Sequence, residues 1–164
     1  MIRTVPILSS ESTANMTSPY QSPEMGRNLI DAVVIVTVES ISGGPSVATV
    51  SPTFQIWHSV IGGNQEEVID GGSGTSPVNS WATLAAAANP SLMPDGDWPV
   101  SINVAGATLT SPVMTTLRID GGFPWRLNLA WALTGGTSPS MLLSAIAYLR
   151  ELPAPGFDRL ESGS

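Results

Sequence analysis

Apolar and polar residues alternate along several short stretches of the chain, which is the pattern of strands with one buried face. Between Leu29 and Ile41 the even positions from 32 to 38 are apolar and the odd positions are mixed. The apolar even positions are Ala32, Val34, Val36 and Val38. An apolar face opposite a mixed face is typical of a strand inside a sheet. We therefore predict a central strand here, followed by a turn over residues 42–45, Ser-Gly-Gly-Pro.

The next stretch, Val47 to Trp57, alternates almost without interruption. One face carries apolar residues together with Pro52, and the other carries Thr, Ser and Gln. Proline has no N–H for a ladder, so Pro52 predicts that this strand lies at an edge of its sheet or contains a bulge.

Other stretches show the same period of two and predict further strands. They are Ile2 to Leu8, Val100 to Val104, Val113 to Ile119 and Trp125 to Leu133. The segment Met141 to Leu152 is ambiguous, because its residues form helices well and Ser138-Pro139 suits a helix start. The preceding Thr134-Gly135-Gly136 instead resembles a hairpin turn back onto the Trp125 to Leu133 strand, and we favour a strand.

Three segments carry no strand pattern. Ser9 to Asn28 is rich in Ser, Thr and Pro and is predicted to be an extended arm, and Pro153 to Ser164 to be a tail. Ile61 to Pro99 is predicted to be a long irregular insertion. Within it, Ser80 to Ala88 suits either a short helix or a loop held against the sheets by Trp81 and Leu84.

Short strands between Gly- and Pro-rich turns, without strand and helix alternation, indicate an all-β fold. We predict an antiparallel β-sandwich or jelly-roll of about seven to eight strands, with one long loop insertion and extended terminal arms. The predicted division is an N-terminal strand and arm over residues 1–28, a sandwich domain over 29–152 and a tail over 153–164.

Charge is scarce in this chain of 164 residues. Only 12% of the residues are charged, there is no lysine and no cysteine, and all six basic residues are arginine. A typical domain has about 25% charged residues. Lysine is depleted at protein interfaces and arginine is retained. This composition predicts a component of an assembly, with much of its surface against other subunits.

The net charge of −7 argues against nucleic acid as a partner, because duplex binding requires clustered Lys and Arg. The first residues lack the apolar stretch of a signal peptide, and no apolar run is long enough to span a bilayer. We therefore expect no nucleic-acid partner and no membrane partner. Without cysteine, the chain has neither disulfides nor Cys-ligated metal.

The residues available for catalysis are few, and we predict that the protein is not an enzyme and takes no cofactor. Cys and Lys nucleophiles are absent, and His58, at the end of a predicted strand, is the single imidazole. We expect His58 to bond locally or face solvent. Gly72-Ser73-Gly74 lacks the rest of a dinucleotide loop.

Carboxylates are the remaining candidates for chemistry. They are Glu66, Glu67 and Asp70 in one predicted loop, and Asp95 and Asp97 in another. Oxygen ligands on loops suit Ca²⁺, but neither group has the full spacing of a calcium loop, so solvated turn residues are the favoured interpretation and no metal site is predicted. A glycosidase pair is the least supported alternative.

Five tryptophans divide into two groups. Trp125 and Trp131 are in phase on an apolar strand face and are predicted to belong to the core. Trp57, Trp81 and Trp98 lie at strand ends or in loops, where an aromatic ring anchors a subunit contact, packs within the chain or stacks on a sugar. We predict subunit contacts for these three, together with Tyr20 in the arm and Phe157 in the tail.

The order of these features between Leu29 and Leu152 resembles small β-sandwich virion proteins of tailed bacteriophages. The likeness lies in the strand Asp31 to Ser40 with its turn, in Thr116-Leu117-Arg118-Ile119-Asp120, and in the strand Trp125 to Leu133 with the turn that follows. It implies no catalytic residue. The long insertion and the N-terminal arm depart from the pattern.

The resemblance implies a capsid decoration (cement) protein located in the virion. Its partners would be the major capsid protein or other virion subunits and copies of itself, with a trimer favoured. The alternatives are a neck, tail or baseplate accessory, or a carbohydrate-binding adhesion module. Under the first interpretation, the arm and the tail lie across neighbouring subunits.

Overall fold

The computed structural model describes residues 1–25, 29–58, 80–83, 101–106, 109–120 and 124–152. These residues form nine strands and one 3-10 helix, Thr13–Asn15. The strands are β1 (Ile2–Ser12), β2 (Tyr20–Gln21), β3 (Leu29–Ser42), β4 (Val47–His58), β5 (Ser80–Thr83), β6 (Ile102–Asn103), β7 (Val113–Asp120), β8 (Trp125–Thr134) and β9 (Ser140–Glu151).

The strands form two antiparallel sheets. One is four-stranded with the order β1-β9-β3-β7, and the other is five-stranded, with the order β2-β8-β4-β5 and β6 also paired to β4. The two sheets enclose one hydrophobic core. The predicted all-β sandwich is confirmed, and β3 is a central strand as its pattern indicates, with β9 on one side and β7 on the other.

The core is built from the alternating inner positions of both sheets. In the four-stranded sheet the even residues 32–38 of β3 and the odd residues 141–149 of β9 are buried. In the five-stranded sheet the buried residues include Phe54, Trp125, Leu127 and Leu129. The rings of Phe54 and Trp125 meet edge to face, with centroids 5.1 Å apart. Trp125 is thus a core residue as predicted, while Trp131 is half-buried against the edge of the core.

The segment from residue 140 onward is a strand, as favoured, but its neighbours differ from the prediction. β9 pairs with β1 and β3, not with β8, so the expected hairpin is wrong. Gly135 and Gly136 have φ of +78° and +71°, and Thr137 donates its N–H to the carbonyl of Gly43 at 2.8 Å. This turn therefore packs against the β3–β4 turn and carries the chain from one sheet to the other.

The expected N-terminal arm is wrong for the described part of Ser9 to Asn28. Ser9 to Ser12 continue β1, and the residues that follow run along the edge of β8. Ser22 and Leu127 bond through the Ser22 N–H and the Leu127 carbonyl at 2.9 Å, and Met25 bonds Trp125 in both directions at 2.8 Å. The sequence of this segment resembles a polar linker, but in the structure its residues form hydrogen bonds with the backbone groups at the edge of β8. The predicted domain bounds at 29 and 152 stay a prediction.

Two further expectations change at β4 and its neighbours. Ser80–Thr83 is a strand paired with β4, so neither a helix nor a loop forms there, and residues 84–88 lie outside the described part of the chain. β4 is not an edge strand, but Pro52 falls between the stretches that pair with β6 and with β5. Pro52 lies opposite Leu129 of β8, and the residues on either side of it in phase, Leu127 and Trp131, donate their N–H groups away from β4. By alternation the Pro52 nitrogen also points away from β8, towards the gap between β6 and β5, where no ladder bond is needed.

Candidate interaction face

The outer face of the four-stranded sheet carries apolar residues in its middle. The register places Tyr148 of β9 beside Val33 of β3, and Ile146 beside Ile35. Met114 of β7 lies on the same face, one row further along, opposite Thr37. Adjacent strands in a sheet are about 4.8 Å apart, so these rows form one continuous area.

These five residues, Val33, Ile35, Met114, Ile146 and Tyr148, are called the apolar patch below. Met114 is 59% exposed, Tyr148 40% and Ile146 37%, while Val33 and Ile35 are half-buried. An antiparallel sheet with one solvated face ordinarily has polar residues on that face. The apolar patch departs from that rule, which makes this face the strongest candidate for a contact surface in the described part of the chain.

One end of the face is closed by ion pairs. Asp31 accepts a bidentate hydrogen bond from Arg150, through Nε at 2.9 Å and through Nη2, and a further bond from Arg118 Nη2 at 3.3 Å. The Asp31 side chain is only 13% exposed, while the two arginines remain accessible. Arg3 pairs with Glu151 at 2.8 Å at the same end. Charge is thus confined to the margin of the apolar patch.

The opposite end of the face is polar. The Ser10 hydroxyl lies 2.9 Å and 3.0 Å from the two carboxylate oxygens of Glu39. Thr37 and Ser144, which are Cα partners, complete this margin. Hydrophilic side chains thus lie at both ends of the face, and on β7 Met114 extends the apolar patch into the row of Thr37.

The outer face of the five-stranded sheet is different, because its described side chains are polar or small except for Val47 at the start of β4. Gln55 accepts a bond from Arg126 Nε at 2.7 Å, and Asn128 bonds Thr53 at 3.4 Å. The Ser51 and Ser101 hydroxyls lie 2.9 Å apart. This face matches the alternation expected of a solvated sheet. Among the described side chains, the apolar centre thus lies on the outer face of the four-stranded sheet.

The described aromatic residues predicted at contacts belong to other strands than the apolar patch. Trp57 of β4 and Trp81 of β5 are Cα partners at one end of the five-stranded sheet, where His58 pairs with Ser80. Tyr20 is half-buried, and its hydroxyl donates to the Ile7 carbonyl at 3.1 Å. Burial, with the charge of Glu11 as a smaller cause, raises the pKa of Tyr20. Trp98 and Phe157 lie outside the described residues, and the contact roles of all five stay predictions.

The candidate calcium ligands Glu66, Glu67, Asp70, Asp95 and Asp97 all lie outside the described residues. In the described ranges, no three His, Asp or Glu side chains come together in a way that would hold a metal ion. None of the helical structure in those ranges is long and apolar enough to cross a bilayer.

Sequence reasoning noted the mixed odd face of β3 but missed the apolar patch. Val33 and Ile35 are visible there, yet the patch also needs Ile146 and Tyr148, from a segment whose structure was ambiguous in sequence. The usable signal is that the even residues of β9 are not uniformly polar. If two neighbouring strands each have two apolar residues on their outer side, the outer face of their sheet is apolar there as well as the inner face.

No known protein family matches the chain, and no curated protein matches it. Among solved structures it is similar to a chain in a structure of infectious bursal disease virus, Gx strain. The identity is 8% and the TM-score 0.40, over 92% of this chain and 32% of the viral chain. The protein therefore spans about a third of that viral chain.

Proposed function

We propose that the protein is a non-catalytic structural subunit of a virion that docks through the outer face of its four-stranded sheet. The observation that carries the proposal is the contrast between the two outer faces. The apolar patch includes Tyr148 at 40% and Met114 at 59% exposure, whereas the described outer residues of the other sheet are polar or small apart from Val47 at the start of β4. A subunit that presents one apolar face and one polar face suits attachment to a surface.

Composition supports the same proposal. With 12% charged residues and no lysine, the chain has few of the side chains that oppose burial at an interface. The charges at the end of the apolar patch are paired, because Asp31 bonds both Arg118 and Arg150. Such a rim excludes water from the apolar centre that it surrounds. The residues that contribute most to binding usually lie in a centre of this kind.

The finer proposal is a capsid decoration protein of a tailed bacteriophage, located in the virion and bound to the major capsid protein, with a trimer favoured. Many symmetric copies let individually weak contacts add together. A neck, tail or baseplate accessory is the alternative position, and it uses the same docking face.

The test is cosedimentation with particles formed by the capsid, neck or tail proteins encoded beside this chain. Replacing Ile146 and Tyr148 with Thr puts a β-branched residue with good strand propensity at both positions of β9 while removing apolar surface. We expect the wild type to sediment with particles and the double variant to lose at least about tenfold in affinity, since two exposed anchors contribute over 1.4 kcal/mol. The matched control, Ala132→Thr on the exposed polar face of β8, should bind like the wild type. Equal binding by all three proteins, or none by the wild type, contradicts the proposal.

A carbohydrate-binding module is the second candidate, favoured by the pairing of Trp57 with Trp81 across β4 and β5. Aromatic residues at the end of a sheet suit stacking on a sugar ring. A glycan array read together with tryptophan fluorescence separates the two functions. Binding that is lost in Trp81→Ala and kept in Ile146→Thr supports the adhesin and contradicts docking through the apolar patch.

A further inference from the structure

The four-stranded sheet has two edge strands, β1 and β7. A strand edge presents backbone N–H and C=O groups that pair readily with another chain, and proteins commonly protect it with proline, lysine, bulges or a short strand. The two edge strands of this sheet differ in that protection. The difference indicates where another chain adds to the sheet.

The open edge of β1 is interrupted. Glu151 donates its N–H to the Met1 carbonyl at 3.1 Å, so the odd residues at the start of the chain bond to β9 and the even residues point the other way. Pro6 is one of these even residues, and it has no N–H to offer at the open edge. Beyond it the register shifts twice, between Pro6 and Leu8 and between Leu8 and Glu11. A further strand therefore finds no regular ladder to extend along β1.

β7 carries none of these interruptions. It pairs with β3 through eight consecutive residues, Val113 to Asp120, without a register shift. Its sequence, VMTTLRID, contains no proline, glycine or lysine. Within the described ranges, no strand pairs with its other edge, and the edge strands of the second sheet, β2 and β5, have only two and four residues. β7 is thus the longest uninterrupted edge in that part of the chain.

The phase of the hydrogen bonds shows which β7 residues face the open edge. Because Glu151 donates towards β1, alternation directs the N–H groups of the even residues 146–150 of β9 towards β3. Carried across β3, the same alternation directs the odd residues of β7 towards β3 and the even residues away from it. Met114 and Thr116 therefore present their N–H and C=O groups at the edge. Their side chains are exposed on the outer face of the sheet.

From these observations we infer that β7 pairs with β7 of a second copy, in antiparallel orientation and with the two-fold axis at Thr116. A strand edge is complementary to an antiparallel copy of itself, so one open edge is sufficient for a symmetric dimer. With the axis at Thr116, the two Thr116 residues lie opposite each other, which is a favourable cross-strand pair. Arg118 then lies opposite Met114 of the second copy, whereas an axis at Arg118 would set two like charges against each other.

The dimer would also enlarge the docking surface. A two-fold axis normal to the sheet keeps both outer faces on the same side, so two four-stranded sheets join into one and both apolar patches face the same way. The row of Ile146, Ile35 and Thr116 then continues into the same row of the second copy.

The size of the apolar patch favours this arrangement. One patch spans three strands about 4.8 Å apart and three rows about 7 Å apart, which is about 300 Å². A stable interface covers about 800 Å² on each side, and two patches on one face come closer to that area than one does. This consequence for docking rests on the proposed function, while the strand pairing does not. The pairing is two-fold and therefore predicts a dimer in place of the trimer that the resemblance implies.

The first test is the oligomeric state of the full chain without particles. Sedimentation velocity over a micromolar concentration range should show monomer and dimer in equilibrium. Thr116→Lys sets two positive charges opposite each other at the axis and should weaken the dimer at least about fivefold. The matched control, Thr4→Lys, makes the same substitution on the outer face of β1, at the other edge of the sheet, and should leave the dimer unchanged. Urea unfolding establishes that both variants fold.

The second test identifies the edge at the axis, because the chain contains no cysteine of its own. Thr116→Cys treated with a short bismaleimide should give a cross-linked dimer, since Cα atoms of a hydrogen-bonded pair lie about 5.5 Å apart. Thr4→Cys should stay uncross-linked, because the two β1 strands are at the far ends of the joined sheet, about 34 Å apart.

Each outcome decides something about the strand pairing. A monomer at every concentration or a trimer overturns it, and so does a dimer that Thr116→Lys leaves intact or that cross-links through Thr4→Cys. A dimer that is lost when Ile146 and Tyr148 are replaced with Thr, but kept in Thr116→Lys, assigns the contact to the apolar patch and overturns the pairing as well. Dimerisation through Thr116 without particle binding contradicts the proposed function and leaves the pairing intact, and particle binding by a monomer does the reverse.

Discussion

The Ser10 hydroxyl bonds the Glu39 carboxylate across β9, the strand that separates β1 from β3. Both residues lie where the register shifts, Ser10 between Leu8 and Glu11 and Glu39 between Val38 and Ser40. Ser10 has φ of +45°, a left-handed conformation that costs a non-glycine residue about 1–2 kcal/mol. The bond thus joins two irregular positions on either side of one regular strand.

Substitution of Ser10 separates the bond from the backbone strain. Ser10→Ala keeps the strain and loses the bond, and it should lower the free energy of unfolding by about 1 kcal/mol. Ser10→Gly loses the bond but relieves the left-handed φ, so its stability should stay close to that of the wild type. Urea unfolding measures both variants. Equal destabilisation by Ala and Gly would show that the conformation at residue 10 is not strained.

Asp31 holds two arginines with one carboxylate that is 13% exposed. Asp31→Asn removes the charge and leaves Arg118 and Arg150 close together without a counter-charge, so we expect a loss of about 1–3 kcal/mol in unfolding free energy. Glu151→Gln is the control, because its partner Arg3 is 57% exposed and such surface pairs contribute less than about 1 kcal/mol. An equal effect of the two substitutions in thermal or urea unfolding would refute the special position of Asp31.

Gly136 lies in the β8–β9 turn and Gly44 in the β3–β4 turn that packs against it. The two glycines form a matched pair for alanine substitution. Both have positive φ, +71° and +59°, but a Cβ on Gly136 would collide with the Gly43 carbonyl oxygen, whereas a Cβ on Gly44 meets nothing within 4 Å. Gly44→Ala should cost about 1 kcal/mol from backbone conformation alone. Gly136→Ala adds the clash and should cost at least about 3 kcal/mol.

Unfolding of the two alanine variants in guanidinium measures this difference. The far-UV circular dichroism of each variant first establishes that it folds. If Gly136→Ala is no less stable than Gly44→Ala, the close packing of the two turns is wrong.

We expect the folded protein to lose stability at alkaline pH because of Tyr20. Burial raises its pKa in the folded protein, so above the ordinary value of about 10 the unfolded chain releases the phenol proton first. The unfolded state then binds fewer protons than the folded state, and the free energy of unfolding falls as pH rises from about 10 towards the folded pKa.

Tyr20→Phe should flatten this alkaline decline, while stability near neutral pH falls slightly because the bond to the Ile7 carbonyl is lost. Urea unfolding at a series of pH values compares the variant with the wild type. An unchanged alkaline slope in the Phe variant would mean that Tyr20 does not cause the decline.

Polar side chains of the N-terminal segment satisfy backbone groups at the ends of the core strands. Thr13 accepts a bond from the buried Met141 N–H at 3.0 Å, and Ser22 accepts one from the Leu127 N–H at 2.9 Å. Thr13→Val or Ser22→Ala leaves a buried donor unpaired and should cost about 1–3 kcal/mol. Ser18→Ala is the control, because its bond to the Trp131 N–H is at an exposed site where water replaces it.

These three substitutions measure how far the N-terminal segment belongs to the sandwich. Urea unfolding that ranks Thr13→Val and Ser22→Ala well below Ser18→Ala supports the structure. Three equally small effects would instead support the free arm expected from the sequence.

Alternation by itself determined that the chain forms strands and which residues of β3, β4 and β8 face inward, because a period of two places every second side chain on one side of a sheet. It did not determine which strands pair. The ambiguous segment Met141 to Leu152 supplied most of β9, the strand between β1 and β3, and the Ser-rich residues 9–25 became part of the sandwich. Tertiary contacts satisfied the backbone groups of both segments.

The apolar patch depends on the same distinction. Its residues come from β3, β7 and β9, which lie far apart in the sequence, so a pattern read along one strand shows only part of it. Alternation records burial one strand at a time, whereas strand order is chosen by the packing of the whole core and the closure of every backbone hydrogen bond. Tertiary structure alone therefore placed Tyr148 beside Val33 and gave the four-stranded sheet its apolar outer face.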